Sequence, residues 1–207
     1  MRRVSTFTGA LIGATSMALV GTAAVAQSMN PTMSPAPLDR AASPTEQKPI
    51  QASQATIDYV QKAAIGNLFE IQSSALALKQ ADSSAVKAFA QQMINDHTTS
   101  TQALESGVKS ASLQATQIPN KLDSAHEAKL NDLRKVTGHD FDSAYLRAQL
   151  ATHQDALKLH QDYAQRGDSA VIKKTAANAA DIVEHHLQEL RKISQGVPQT
   201  SSTGGSR

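Results

Sequence analysis

Residues 54–80 read QATIDYVQKAAIGNLFEIQSSALALKQ. Within them Ile57, Val60, Ala64, Leu68, Ile71, Ala75 and Leu78 recur at spacings of three and four, the period of an α-helix with one apolar stripe. The next stretch repeats the pattern. Asp82 or Ser83 can cap a second helix that runs to about Ser110, with Val86, Ala90, Met93, His97, Thr101, Leu104 and Val108 on its stripe. A loop through Ile118-Pro119-Asn120 leads to a shorter helix over 121–136, and Gly138 stands in the position that commonly follows a helix C-terminus. Asp140 can open a fourth helix, which aligns Leu146, Leu150, His153 and Leu157 and stops near Arg166-Gly167. Asp168 or Ser169 then caps the last one, with Ile172, Ala176, Ala179, Val183, His186, Leu190 and Ile193 in line.

Strand signals are missing, and aromatic residues form only 3% of the chain. The expected fold is therefore all-α: an antiparallel four-helix bundle over 54–194, with a short extra helix in the crossover between the second and third long helices.

Outside that domain the composition changes. Residues 1–26 read as a secretory signal peptide, with Arg2-Arg3 at the start, an apolar run centred on Leu11 to Val20, and Ala24-Val25-Ala26 as the cleavage site. Residues 27–53 carry five prolines and read as a disordered linker, and 195–207 read as a disordered tail. Gly13, Thr15, Ser16, Gly21 and Thr22 break the apolar run and argue against an uncleaved membrane anchor; with no other long apolar segment, cleavage after Ala26 would leave a periplasmic or secreted product without stable membrane insertion. It would also remove Arg2 and Arg3, so that 18 basic residues face 18 acidic ones, and the basic excess that might suggest a nucleic-acid partner disappears. With no cysteine in the chain, disulfides, thiol catalysis, Cys-type zinc sites and covalent haem attachment are excluded. Gly-rich phosphate loops and the G-x-S-x-G nucleophile motif do not occur either.

Three of the seven histidines, His97, His153 and His186, interrupt apolar stripes. Counted from the expected helix starts at ~1.5 Å per residue, they lie about 21, 20 and 26 Å along their helices, and Glu70 lies about 24 Å along the first. In an up-and-down bundle these mid-helix positions fall in one layer. Glu70 sits on a flank of small residues (Ala63, Asn67, Ser74, Ala77) that leaves room for a carboxylate to turn inward. Three neutral imidazoles and one carboxylate suit a single zinc, iron, copper, nickel or manganese ion. The same residues also suit a hydrogen-bonded polar core without metal. Asp96, Glu184 and His185 fall about 100° round their helices and read as outer partners or solvent-facing groups. Asp142 and Tyr145 are packing or hydrogen-bonding partners, and His126, His139 and His160 read as surface residues.

At these residues the chain resembles the bacterial envelope family known as domain of unknown function 4142, assigned to the ferritin-like group. The resemblance rests on residues 63–70 (AAIGNLFE), on 86–90 (VKAFA) with Met93 and Asp96-His97, on 138–142 (GHDFD) with Tyr145 and His153, and on His185-His186-Leu187. It implies a ferritin-like bundle in an exported protein, with Glu70, His97, His153 and His186 as polar core positions, and it implies no activity. Asp181 departs from the resemblance, since similar proteins tend to carry proline there. Di-iron proteins of that group use Glu-x-x-His on two helices, and no Glu-x-x-His occurs in this chain, so no di-iron site is expected.

Three functional readings follow: an exported, stress-related or envelope protein that binds one metal ion in its core; a metal-free interaction module with an envelope partner or a second copy of itself; and an enzyme or b-type haem protein using the same histidines.

Overall fold

The computed structural model describes residues 51–113 and 117–196. The expected leader, most of the proline-rich linker and most of the tail lie outside the described residues; Gln195 and Gly196, expected in the tail, belong to the last helix. Five helices occur in the order α1 (Gln54–Gln80), α2 (Ser84–Ser110), α3 (Ser124–Arg134), α4 (Gly138–Arg166) and α5 (Ala170–Gly196), and no strand occurs among the described residues. None of these helices is long and apolar enough to cross a membrane.

Side chains set the helix starts. Ser53 Oγ accepts the backbone N–H of Thr56 at 3.1 Å, and Ser83 Oγ that of Val86 at 3.3 Å, each satisfying a donor that the first turn leaves free. Asp123 caps α3 through the N–H of His126 at 2.8 Å, which starts that helix later than its apolar pattern suggests. Ser169, rather than Asp168, accepts from Ile172 at the start of α5; Asp168 instead receives the Thr56 hydroxyl of α1.

Gly138 differs from its expected role. It is not the residue that ends α3 but the one that opens α4, with φ +63°, and a Cβ there would lie 2.9 Å from Asp82 Oδ2 in the turn between α1 and α2. Both conditions favour glycine. Asp142 ties the same region together, since its buried carboxylate accepts the Ser83 N–H at 2.9 Å.

The four long helices close a ring of contacts: α1 packs on α2 and α4, and α5 packs on α4 and α2, while α3 lies against α1 and α4. Two apolar clusters fill the inside. One holds Phe69, Val86, Phe89, Met93, Leu130, Phe141, Tyr145, Val183, Leu187 and Leu190. The other holds Tyr59, Val60, Leu104, Val108, Tyr163 and Ile172. Burying each large apolar side chain of this kind contributes about 1.5–3 kcal/mol.

On α2 and α5 the expected stripes face inward over most of their length; on α4 Leu146 and His153 are buried but Leu150 and Leu157 are half-buried, and the inward face also carries Phe141, Tyr145, Gln149, Thr152 and His160. The first helix is rotated from its expected face. Its buried line is Thr56, Tyr59, Val60, Ala63, Asn67, Glu70, Ser73, Ser74 and Ala77, whereas Ile57, Leu68, Ile71, Ala75 and Leu78 are half-buried. The interior that α1 faces is polar at mid-height, so its inward residues are polar and the apolar count points about one residue to the side.

Candidate metal centre

His97 stands one turn beyond Met93 on α2. Its Nδ1 lies 2.9 Å from Asn67 Oδ1 of α1, an acceptor, so Nδ1 carries the proton. Nε2 then holds the lone pair, and this atom is buried without a partner. Burial, and after it the neighbouring His153, His186 and His160, hold the His97 pKa well below the ordinary histidine value, so the ring is neutral at neutral pH.

His153 is fixed from within its own helix. Nδ1 donates to the Gln149 carbonyl at 2.9 Å, which leaves Nε2 with the lone pair. His186 of α5 is fixed from α2. Its Nε2 lies 2.9 Å from Asp96 Oδ2, a carboxylate that accepts, and the lone pair is left on Nδ1. That bare Nδ1 faces the bare Nε2 of His153 at 3.2 Å.

In their neutral forms these two nitrogens present lone pairs to each other, an arrangement that a proton or a cation between them turns from repulsive to attractive. A proton is disfavoured at His186, whose pKa burial lowers despite the opposing hydrogen bond that it donates to Asp96. The three rings are mutual neighbours, with centroids 5.7 Å (His97–His153), 5.6 Å (His97–His186) and 5.3 Å (His153–His186) apart. One ring nitrogen from each lies within 4.8 Å of those of the others. An ion at ~2.0–2.1 Å from each nitrogen would set them about 3–4 Å apart, so the 3.2 Å pair already has that spacing. Phe89 lies against the rings of His153 and His186, with centroids at 6.4 and 6.2 Å, and screens that side with apolar surface.

Glu70 lies beside this cluster rather than among the three converging nitrogens. Its Oε1 accepts the Thr152 hydroxyl at 2.7 Å and stands 3.7 Å from His153 Nδ1, the side of the ring opposite His186. Its Oε2 is buried without a partner. A buried carboxylate oxygen needs a donor, and the protein's own groups supply none to Oε2.

Among the other expected positions, Tyr145 bonds Ser74 through its hydroxyl at 2.8 Å, inside the core. His139 and His185 are exposed, and His126 is half-buried with its ring 5.4 Å from that of Phe69. His160 is not a surface residue. It is buried, its Nδ1 lies 3.0 Å from the Tyr59 hydroxyl, and burial followed by the nearby His153 lowers its pKa to about 4. Its position two turns beyond His153 on α4 puts it on the same face, a spacing of seven that the sequence displays but that proximity to the helix end obscured.

A cleft of about 230 Å³ between α1, α3 and α4 reaches this layer from outside. Glu70, His97, Thr152, His153 and His160 line it, together with Ala63, Phe69, Ala156 and Leu159, and the exposed Lys62, Lys129 and Asp155.

The fold has relatives of known structure. A DUF305 fragment from Deinococcus radiodurans superposes with a TM-score of 0.60 at 12% identity, covering 70% of this chain and 98% of that one. A DUF305 protein from Streptomyces coelicolor gives 0.57 at 12% identity, covering 74% and 98%. At that identity the likeness concerns the helical fold alone. No curated protein matches the chain. The family described as a domain of unknown function (DUF4142) matches residues 41–193, a span that takes in all the residues of the histidine layer, and the chain belongs to that family.

Proposed function

We propose that the protein is an exported helical bundle of the cell envelope that holds one transition-metal ion between His97, His153 and His186, with Glu70 as the carboxylate of the set. The observation that carries this reading is the arrangement of oxygen acceptors. Each imidazole has one ring nitrogen 2.9 Å from an oxygen, of Asn67, Gln149 or Asp96, which assigns the proton to that nitrogen and leaves the other bare. Outer acceptors of this kind fix the tautomer and orientation of metal-binding histidines.

Glu70 serves the set from behind His153, where its Oε1 adds negative charge near the Nδ1–H and raises the donor strength of Nε2. Three nitrogen donors suit zinc, copper, iron or nickel and leave a coordination position open. The role is retention of the ion, in stress or in ordinary envelope metal handling, without turnover.

The surrounding architecture is read as a ferritin-like antiparallel bundle with α3 in the crossover. In support, the cluster around Tyr59 and Ile172 is met first along α1 and α5, and the cluster around Phe89 and Phe141 first along α2 and α4. The turns at 81–83 and 167–169 are three residues long.

A second reading, a metal-free interaction module, draws on the His153–His186 contact at 3.2 Å, a distance at which one added proton completes a hydrogen bond. Elemental analysis separates the two. Protein purified from the periplasm without chelator or affinity metal should carry about one ion per chain. Re-adding metal to stripped protein at a hundredfold excess over Kd should stabilise it by about 2.7 kcal/mol. His97→Ala, His153→Ala and His186→Ala should each remove that increment. Metal-free protein whose unfolding ignores added zinc, copper, nickel, iron and manganese would establish the second reading.

A further inference from the structure

The cleft between α1, α3 and α4 carries an acceptor that a three-histidine ion site does not use. Glu70 lines it, and its Oε2 is buried with no hydrogen-bond partner. A carboxylate oxygen only accepts, and Glu70 is only 4% exposed. What satisfies it must bring N–H or O–H donors. Ala63, Phe69, Ala156 and Leu159 of the cleft lining are apolar and call for a hydrocarbon body. At about 230 Å³ the cleft falls below the roughly 300–1,000 Å³ of drug-sized sites, so its occupant is small.

We infer that the cleft binds a small organic monoammonium ion, its head directed to the free carboxylate oxygen of Glu70 and its alkyl body against Ala63, Ala156 and Leu159. An ammonium head supplies three donors and the opposite charge, and a charge-assisted hydrogen bond of this kind is about twice as strong as a neutral one. The Thr152 hydroxyl already occupies Oε1, which leaves Oε2 for the ligand.

The exposed groups around the cleft sharpen the choice. Lys62 and Lys129 oppose a second positive charge there, with Asp155 offsetting one of them, and solvent screens all three. A monoamine therefore fits better than a diamine. Only Glu70 Oε2 is essential to the inference, so it does not depend on whether the histidines hold an ion.

The test is isothermal titration of the mature, chelator-stripped chain with n-butylammonium, n-butyrate and 1,4-diaminobutane at pH 7.5. n-Butylammonium should bind saturably, butyrate should not, and the diamine should bind more weakly than the monoamine. Glu70→Gln, which keeps the shape of the side chain, should weaken n-butylammonium at least ~10-fold, the loss expected for one charge-assisted hydrogen bond. Ala156→Leu, on the cleft wall, should weaken it by crowding the alkyl body, and it serves as the second variant if Glu70→Gln does not fold. No binding of n-butylammonium, equal binding of butyrate, or binding that survives both substitutions would overturn the inference. Because no metal is present in the titration, its failure leaves the elemental analysis of the histidine site standing, and the reverse holds too.

Discussion

Asp96 Oδ2 and His186 Nε2 meet at 2.9 Å across 90 residues of sequence, the carboxylate partly open to solvent and the imidazole almost fully buried. The pair joins α2 to α5 and decides which nitrogen of His186 is free. Asp96 is adjacent to His97, so one turn of α2 provides both an imidazole and the group that orients another.

Asp96→Asn tests that relationship. The amide keeps the size but can present its NH2 to Nε2, which would favour the tautomer with Nδ1 protonated and occupied. Metal affinity should fall by about 10–100-fold, the usual cost of losing an outer partner of a ligand. Competition titration against a chromophoric chelator measures it, and an unchanged affinity would remove Asp96 from the site.

Acid should destabilise the fold through the buried histidines. His97, His160 and His186 all have lowered pKa values in the folded state, so the unfolded chain binds protons more readily below its own value near ~6.5. Stability is then fully present above ~6.5 and is lost as the pH falls. For His160 the loss runs from ~6.5 down to its folded value of about 4 and amounts to on the order of 3 kcal/mol. Urea unfolding at pH 7.5, 5.5 and 4.5 should show a falling midpoint, and His160→Phe should flatten the slope. A midpoint constant over that interval would contradict the assignment of neutral buried rings.

Gly138→Ala should lower stability by about 1–2 kcal/mol, the cost of placing a Cβ in the left-handed region. Its φ of +63° sets that cost, and the Asp82 carboxylate, on an exposed side chain, can move aside. Asp82→Ala added to Gly138→Ala should therefore recover little. A large recovery in thermal unfolding would show that crowding, not backbone strain, dominates.

Export makes a separate prediction. Mass spectrometry of the protein from the periplasm or medium should place its N-terminus at Gln27, cyclised or not, as the Ala24-Val25-Ala26 consensus implies. Full-length chain with Met1 in the membrane fraction would contradict it.

Much of the fold was legible because α2 and α5 carry their core on regular apolar positions, from Val86 to Val108 and from Ile172 to Leu190. The three histidines stood out for the same reason, as polar interruptions of those stripes. The first helix was less legible: a helix that faces a polar layer hides its inward side, and Asn67 and Glu70 look like surface residues by type. Asn67 was visible as a neighbour of Glu70, but its bond to His97 depends on the relative height of α1 and α2, which periodicity does not give. His160 was missed because distance from a helix end is a poor guide to burial when the next turn folds back over it. Tyr59 and Tyr163, stacked at 4.2 Å, close that end of the interior.

The proposed ligands stand at 97, 153 and 186, so a chain emerging in order offers the last imidazole only when the final helix has been made. Before then two histidines on unpacked helices give a weak, unselective grip. If these residues hold an ion, its acquisition would be a late step that follows docking of α5, and the metal would be drawn from whichever compartment hosts that docking. For a chain that folds only after export, the ion pool outside the cytoplasm would choose the occupant, and the competition among metals inside the cell would have no part in it.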